Sequence, residues 1–259
     1  VKKIPVYAEK DPSNLPWKDL DVDLVLECTG LFTKYEDAMK HIEAGAKKVL
    51  ISAPGKGEMK TVVYGVNDDV LDGSEQIVSA ASCTTNCLAP VVHVLDKEFG
   101  IVKGYMSTIH AYTNDQVTLD IAHKKGFASR RGRACAMNII PASTGAASAI
   151  GKVLPNLAGK LNGVAYRVPV SDGSMIDLVL ELNKNVTSEE INQALEKNVN
   201  DTLKVTTDPI VSSDVIGMKC GSLVDMRLTT VLDVEGKQLV KVVAWYDLSL
   251  IHISEPTRH

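Results

Sequence analysis

Two kinds of hydrophobic patterning divide this chain near Cys83. Ahead of it, apolar residues come in short runs separated by polar turns. Residues 22–28 read as a strand of the kind buried in a parallel sheet, ending at Thr29-Gly30. Residues 35–44 carry the helical period and are closed by Gly45, and residues 49–52 form the next strand, ending at Ala53-Pro54. Strand, crossover helix and strand make a βαβ unit. Residues 76–81 read as a further strand and residues 88–99 as a helix, with the polar run Ser82-Cys83-Thr84-Thr85-Asn86 between them. That spacing predicts Cys83 on the first turn of the helix.

Beyond Cys83 the runs lengthen. Residues 101–106 read as a strand, followed by a second polar run from Ser107 to Asp115 that contains His110. Residues 164–170, 175–182, 223–234 and 239–246 read as longer strands, several with alternation, the last two joined by the hairpin signal Glu235-Gly236. Thr187-Ser188-Glu189-Glu190 is a capping box that opens a helix running to about Val199. The expected architecture is α/β plus α+β: a parallel sheet, then a mixed or antiparallel sheet with helices on one face.

Composition adds constraints. Apolar residues make up 45% and charged residues 23% of 259, enough for a sizeable core over one large or two medium domains. A net charge of −4 gives no reason to expect nucleic acid or an anionic membrane as partner. The basic cluster Lys124, Lys125, Arg130, Arg131 and Arg133 is small and lacks the aromatic stripe of a nucleic-acid surface. No run of eighteen apolar residues is present, so no membrane span is expected. Five scattered cysteines suit a reducing compartment, and a cytoplasmic location is expected.

Cys83 is the candidate for chemistry. Unpaired backbone N–H groups and the positive end of the helix dipole meet at a helix N-terminus, and both favour a thiolate. A lone cysteine is also a common small core residue; here the polar neighbours argue for the nucleophile. Cys87 lies four positions on, where Cβ atoms on a helix stand roughly 6 Å apart, too far for a disulfide, and no ligand spacing for a metal accompanies the pair. His110 supplies a candidate base, with an ordinary pKa near 6.5.

The run Ala80-Ala81-Ser82-Cys83-Thr84-Thr85-Asn86-Cys87-Leu88-Ala89-Pro90 resembles the active-site segment of the phosphorylating glyceraldehyde-3-phosphate dehydrogenases. So do, in order, Thr108-Ile109-His110-Ala111-Tyr112-Thr113, Arg130-Arg131-Gly132-Arg133-Ala134, Ile140-Pro141-Ala142-Ser143-Thr144-Gly145 and Tyr166-Arg167-Val168-Pro169. Several long motifs in one order form a specific signal. The resemblance implies the C-terminal half of a Rossmann-type NAD-binding domain over residues 1–82 and a catalytic domain over residues 83–247.

That resemblance also implies roles. Cys83 would attack the aldehyde and His110 would handle its proton. Arg167 and Thr113 match the site for the substrate's phosphate; Thr144 and Gly145, aided by Ser82 and Thr84, match the inorganic phosphate site; Arg131 lies between. Thr29, Gly30 and Ser52 match the nicotinamide side of the cofactor cleft, although turn chemistry alone would account for them. Lys10 matches a position reaching the adenosine half. Implied partners are NAD, glyceraldehyde 3-phosphate, inorganic phosphate and three further copies in a homotetramer. NADP is not distinguished from NAD, because the residue that reads the ribose would precede Val1.

Departures from the family pattern are equally specific. No glycine-rich phosphate turn precedes Val1, and Leu248 stands where the family has an asparagine facing the nicotinamide amide. Residues 248–259 have no family counterpart and resemble a translated sequencing adapter. The expectation is a fragment inactive alone. Two alternatives remain at this stage: a dehydrogenase of another aldose phosphate such as erythrose 4-phosphate, and a non-catalytic fragment. A cysteine hydrolase is a weaker fourth reading, since its usual cysteine signatures are missing.

Overall fold

The computed structural model describes residues 3–249, in two compact units. Of the described residues, one unit comprises those through Val62 together with Asp68–Ser82; the other comprises Val63–Asn67 and those from Cys83 to Ser249. The adapter-like stretch, apart from Leu248 and Ser249, lies outside the described residues.

The first unit is built on β1 (Leu24–Glu27), α1 (Tyr35–Glu43), β2 (Lys48–Ile51), β3 (Lys60–Thr61) and β4 (Ile77–Ser79). Its four strands lie in the order β1-β2-β4-β3, every pairing parallel. Val25, Val49, Ile51 and Ile77 meet the apolar face of α1 around the buried Ala38. Gly45, at φ +107°, turns the chain off α1 so tightly that a Cβ there would stand 2.5 Å from Lys18 Cβ. The first strand is shorter than residues 22–28. It covers four residues and ends on a buried carboxylate, Glu27, because the side chains of His41 and Thr29 supply that group with partners.

The second unit begins with α2 (Cys83–Phe99) and β5 (Ile101–Ala111), followed by β6 (Ile140–Ser143), α3 (Ala146–Val153), β7 (Leu161–Val168) and β8 (Ser174–Leu182). Then come α4 (Ser188–Lys197), β9 (Leu203–Thr206), β10 (Ser222–Asp225), β11 (Thr230–Val234) and β12 (Lys237–Tyr246). These strands form a mixed sheet ordered β6-β7-β5-β8-β12-β10-β9, with β11 also on β12. α2 packs against β5, β8, β10 and β12 and touches α3 and α4. Leu88, Val91, Val92 and Leu95 of α2 and the alternate residues Ile176, Leu178 and Leu180 of β8 are fully buried. Pro90 lies inside α2 and cannot donate to the Asn86 carbonyl. Gly221 passes close to that oxygen; a Cβ there would come within 3.0 Å of it.

Three sequence expectations need correction. Residues 223–234 are two strands, because the Asp225 carboxylate accepts the Arg227 N–H at 3.2 Å and caps a single 3-10 turn, Met226–Leu228. The break lets β10 and β11 pair with the same edge of β12, at its two ends. The strand expected at residues 164–170 starts earlier, at Leu161, since Asn162-Gly163 pairs with β5 rather than turning. Gly163 fits there because a Cβ would lie 2.7 Å from the Met106 carbonyl oxygen. Finally, β5 does not end at residue 106 but runs through the polar segment to Ala111, so His110 sits within the strand, in register with Arg167 of β7.

Candidate active site

Cys83 is the first residue of α2, where the backbone N–H groups of the opening turn have no partner within the helix. Ala81, two residues earlier, is buried at φ +62°. A left-handed alanine costs free energy, and the surrounding contacts must hold it there. The Ser79 hydroxyl does part of this by accepting the Ala81 N–H at 3.2 Å and donating to the Ala53 carbonyl at 2.8 Å.

His110 arrives from β5. Its Nδ1 donates to the Ala111 carbonyl oxygen at 2.7 Å, which leaves Nε2 as an acceptor facing Cys83 Sγ at 3.8 Å. The ring is 4% exposed and meets Tyr246 edge to face, with centroids 6.0 Å apart. Burial, followed by the Arg167 charge, pushes the imidazole down to about 4. Burial pushes the Cys83 thiol up, against the pull of the Thr84 hydroxyl, its N–H and Arg167. Desolvation thus opposes the helix terminus at Cys83, and the geometry points the thiol at an imidazole nitrogen able to take its proton.

Tyr246 was not legible as part of this group. Its fully buried hydroxyl bridges Thr84 Oγ1 at 2.9 Å and Thr108 Oγ1 at 2.8 Å, tying α2, β5 and β12 together beside the thiol. A tyrosine at an inward position of an alternating strand, which must find a polar partner, was the available signal. The Thr84 side chain is consequently turned into this buried bridge.

Three of the expected anion-binding residues, Thr113, Arg131 and Arg167, gather around Asp115, a carboxylate that the sequence reading also missed. Arg167 lies in register opposite His110 and donates through Nη1 to Thr113 Oγ1 at 2.6 Å, with Asp115 Oδ1 at 3.8 Å. Arg131 pairs with Asp115 through Nη1 and donates through Nη2 to the Ser143 carbonyl at 3.1 Å. Burial raises the Asp115 pKa, but Thr113 and both arginines outweigh it and hold the carboxyl below its ordinary value. Arg167 Nε is buried without a hydrogen-bond partner. Next along the chain from Ser143, Thr144 Oγ1 accepts the Ala146 N–H at 3.2 Å at the start of α3, and Gly145 has open space where a Cβ would be. Lys125, Arg130, Arg131 and Ser143 border a cavity of about 500 Å³.

In the first unit, Thr29 and Gly30 follow β1 and Ser52 follows β2, at the carboxyl ends of adjacent parallel strands. Ser52 Oγ donates to the Glu27 carbonyl at 3.2 Å, while Thr29 bonds the Glu27 carboxylate. Lys10 lies on a separate exposed segment. Ser82 belongs to this unit and directly precedes Cys83. Among the described residues, no cluster of His, Cys, Asp and Glu could hold a metal ion, and no helix is long and apolar enough to cross a membrane.

The family model "Glyceraldehyde 3-phosphate dehydrogenase, C-terminal domain" matches residues 82–248, and the NAD binding domain of the same enzyme matches residues 1–35. The chain belongs to the glyceraldehyde-3-phosphate dehydrogenase family. Glyceraldehyde-3-phosphate dehydrogenases of Clostridium acetobutylicum and Clostridium pasteurianum are each 56% identical over 257 residues, covering 99% of this chain and 77% of the relative. That of Streptococcus pyogenes is 54% identical over 256 residues, 98% of this chain and 76% of the relative. As a member of this family the chain is an NAD-dependent oxidoreductase of glycolysis.

The residues present fit that cofactor. Parallel α/β sheets receive ligands beyond the carboxyl ends of their strands. Gly30 at that edge has φ +72° and nothing within 4 Å of where a Cβ would project, so backbone is offered to a ligand without a side chain in the way. Thr29 precedes it and Ser52 follows the neighbouring strand β2, both with their hydroxyl groups bonded to Glu27.

Proposed function

We propose that Cys83 carries a covalent oxidation of glyceraldehyde 3-phosphate that ends in phosphorylation of the product. The observation carrying this reading is the 3.8 Å approach of Cys83 Sγ to His110 Nε2, with the tautomer fixed by the Ala111 carbonyl. Sγ attacks the aldehyde carbon while its proton passes to Nε2 and on to the carbonyl oxygen, giving a thiohemiacetal and returning His110 to its neutral form. When bound, NAD would be held by Thr29, Gly30 and Ser52, with Lys10 toward the adenosine, and would supply the hydride acceptor. His110 removes the hemiacetal hydroxyl proton during oxidation, which leaves the acyl group on Cys83 as a thioester. Attack by inorganic phosphate forms the acyl phosphate and expels Cys83, whose sulfur regains a proton from His110.

Charge recognition supports the substrate assignment. Arg167 with Thr113 serves the substrate's phosphate, and Thr144 and Gly145 serve the attacking phosphate, aided by Ser82 and by the backbone of Thr84 at the helix N-terminus, with Arg131 between them. Guanidinium and hydroxyl donors suit dianionic phosphates. In this reading residues 1–82 carry the cofactor and residues 83–247 the chemistry, and the working enzyme is a cytoplasmic homotetramer. Mixing the protein with aldehyde and NAD but no phosphate tests it: an acyl adduct should accumulate on Cys83, visible by intact mass and peptide mapping, and should disappear on adding phosphate. An adduct elsewhere, or none alongside NADH formation, would refute the covalent route.

A further inference from the structure

Inside the parallel-sheet unit, a buried carboxylate and a buried imidazole stand back to back in a way that catalysis at Cys83 does not use. Glu27 is 3% exposed and His41 4% exposed. Trp17 Nε1 lies 3.0 Å from His41 Nδ1, and His41 Nε2 lies 3.1 Å from Glu27 Oε2. An indole N–H can only donate, so Nδ1 must accept and the single imidazole proton must sit on Nε2, pointing at Glu27. The other carboxylate oxygen accepts the Thr29 N–H at 2.8 Å and the Thr29 hydroxyl. Thr29 Oγ1 in turn accepts the Leu31 N–H at 3.1 Å. Phe32 closes over the imidazole edge to face, centroids 6.2 Å apart, which fixes the ring plane.

Every hydrogen bond in this series therefore has one permitted direction. It starts at Trp17, passes through His41 and ends on the carboxylate that also receives the exposed Thr29 turn. We propose that Trp17, His41 and Glu27 form a direction-locked relay that holds the Thr29-Gly30-Leu31 turn in the shape that receives NAD, making Glu27 a positioning residue for cofactor binding. This rests on the reading that the turn meets the cofactor. Gly30 needs φ +72° with open space beside it, and that geometry is retained only while the backbone N–H groups on either side are tied.

The directionality gives a test that simple packing would not pass. In Glu27→Gln the amide has one acceptor and one donor end. If its oxygen serves Thr29, its NH₂ meets the His41 Nε2–H; if its oxygen serves His41, its NH₂ meets the Thr29 N–H. His41 cannot adjust by moving its proton to Nδ1, because Trp17 donates there. Removing that donor with Trp17→Phe frees His41 to switch tautomer, and the introduced amide can then satisfy both neighbours.

Hydrogen exchange of the Thr29 and Leu31 amides and the NAD dissociation constant from calorimetry read the two halves. Glu27→Gln should speed exchange and weaken NAD binding by about tenfold or more, as expected for a donor that loses a charged acceptor. The double variant Trp17→Phe/Glu27→Gln should recover most of both, while Trp17→Phe alone keeps the turn protected. Exchange unchanged in Glu27→Gln, or a double variant worse than the single, overturns the relay. Exchange that moves as stated with NAD binding unmoved overturns the turn's role toward the cofactor instead. Should Glu27→Gln not fold, nitrogen-15 NMR of His41 in the unaltered protein still decides: the relay requires Nε2 protonated and Nδ1 bare, and the opposite tautomer refutes it.

Discussion

Cys83 Sγ stands 3.8 Å from His110 Nε2, and the opposite ring nitrogen is committed to the Ala111 carbonyl at 2.7 Å. The first distance allows proton transfer, and the second sets its direction. Desolvation pushes the thiol above and the imidazole below their ordinary values, which opposes ionisation of either group by itself. Ionising either partner alone is costly in this setting; moving the proton between them produces two opposite charges that stabilise each other.

His110→Asn therefore removes the proton acceptor while leaving a side chain of similar reach. Alkylation of Cys83 by iodoacetamide at neutral pH should slow markedly, and turnover should fall by about 10²–10⁴-fold. In the unaltered protein Cys83 should label ahead of Cys28, Cys135 and Cys220, and Cys87 should not label, being fully buried with its thiol pushed up by desolvation. Peptide mapping after brief exposure measures both. Equal labelling of the cysteines would remove the case for a privileged thiol.

The same imidazole sets a pH window for stability. Its folded pKa of about 4 lies below the ordinary 6.5, so between those values the unfolded chain binds a proton that the folded chain refuses. Stability should fall as pH drops through that interval and level off below it, with His110 accounting for about 3 kcal/mol at full effect. Urea midpoints at pH 7.5 and pH 5, compared between the unaltered protein and His110→Asn, isolate the contribution. The variant should show the smaller acid sensitivity.

What the sequence revealed follows from how local each feature is. The βαβ unit, the helix opened by Thr187 and the placement of Cys83 at a helix start depend on periodicity and capping, which neighbouring residues determine. Glu27, Asp115 and Tyr246 escaped notice because their partners are distant in the chain: His41 for the first, Arg131 and Arg167 for the second, Thr84 and Thr108 for the third. A buried acid inside an apolar strand looks like an interruption until the group that neutralises it is in place. The split of β10 from β11 was hidden for a related reason, since a single aspartate cap decides it.

Tyr246→Phe probes the buried hydroxyl bridge. Deleting one oxygen leaves two buried threonine hydroxyls without that partner, and an unsatisfied buried donor or acceptor costs about 1–3 kcal/mol. The expected loss in unfolding free energy is roughly 2 kcal/mol, accompanied by slower Cys83 alkylation as the first turn of α2 loosens. Thr108→Val in the Tyr246→Phe background should recover part of the stability, because it removes one of the stranded hydroxyls. A strictly additive double-mutant cycle would show that the bridge contributes nothing.

The cluster around Asp115 yields the sharpest separation of binding from chemistry. Asp115 lies between two guanidinium groups, and Arg167 also holds Thr113 at 2.6 Å. Arg167→Lys keeps the charge but loses the planar fork, so it cannot serve Thr113, Asp115 and a phosphate oxygen together. The Michaelis constant for the aldehyde phosphate should rise by about tenfold, the equivalent of one lost charge-assisted bond, with a smaller change in turnover. Asp115→Asn acts differently: it leaves Arg131 and Arg167 facing each other without the intervening negative charge, which should destabilise the fold and increase the salt dependence of substrate binding. Initial-rate measurements across substrate concentration at two ionic strengths separate the two. If Arg167→Lys changed turnover alone and left the Michaelis constant for the aldehyde phosphate in place, Arg167 would have to be reassigned from holding the phosphate to the proton transfers beside it at His110.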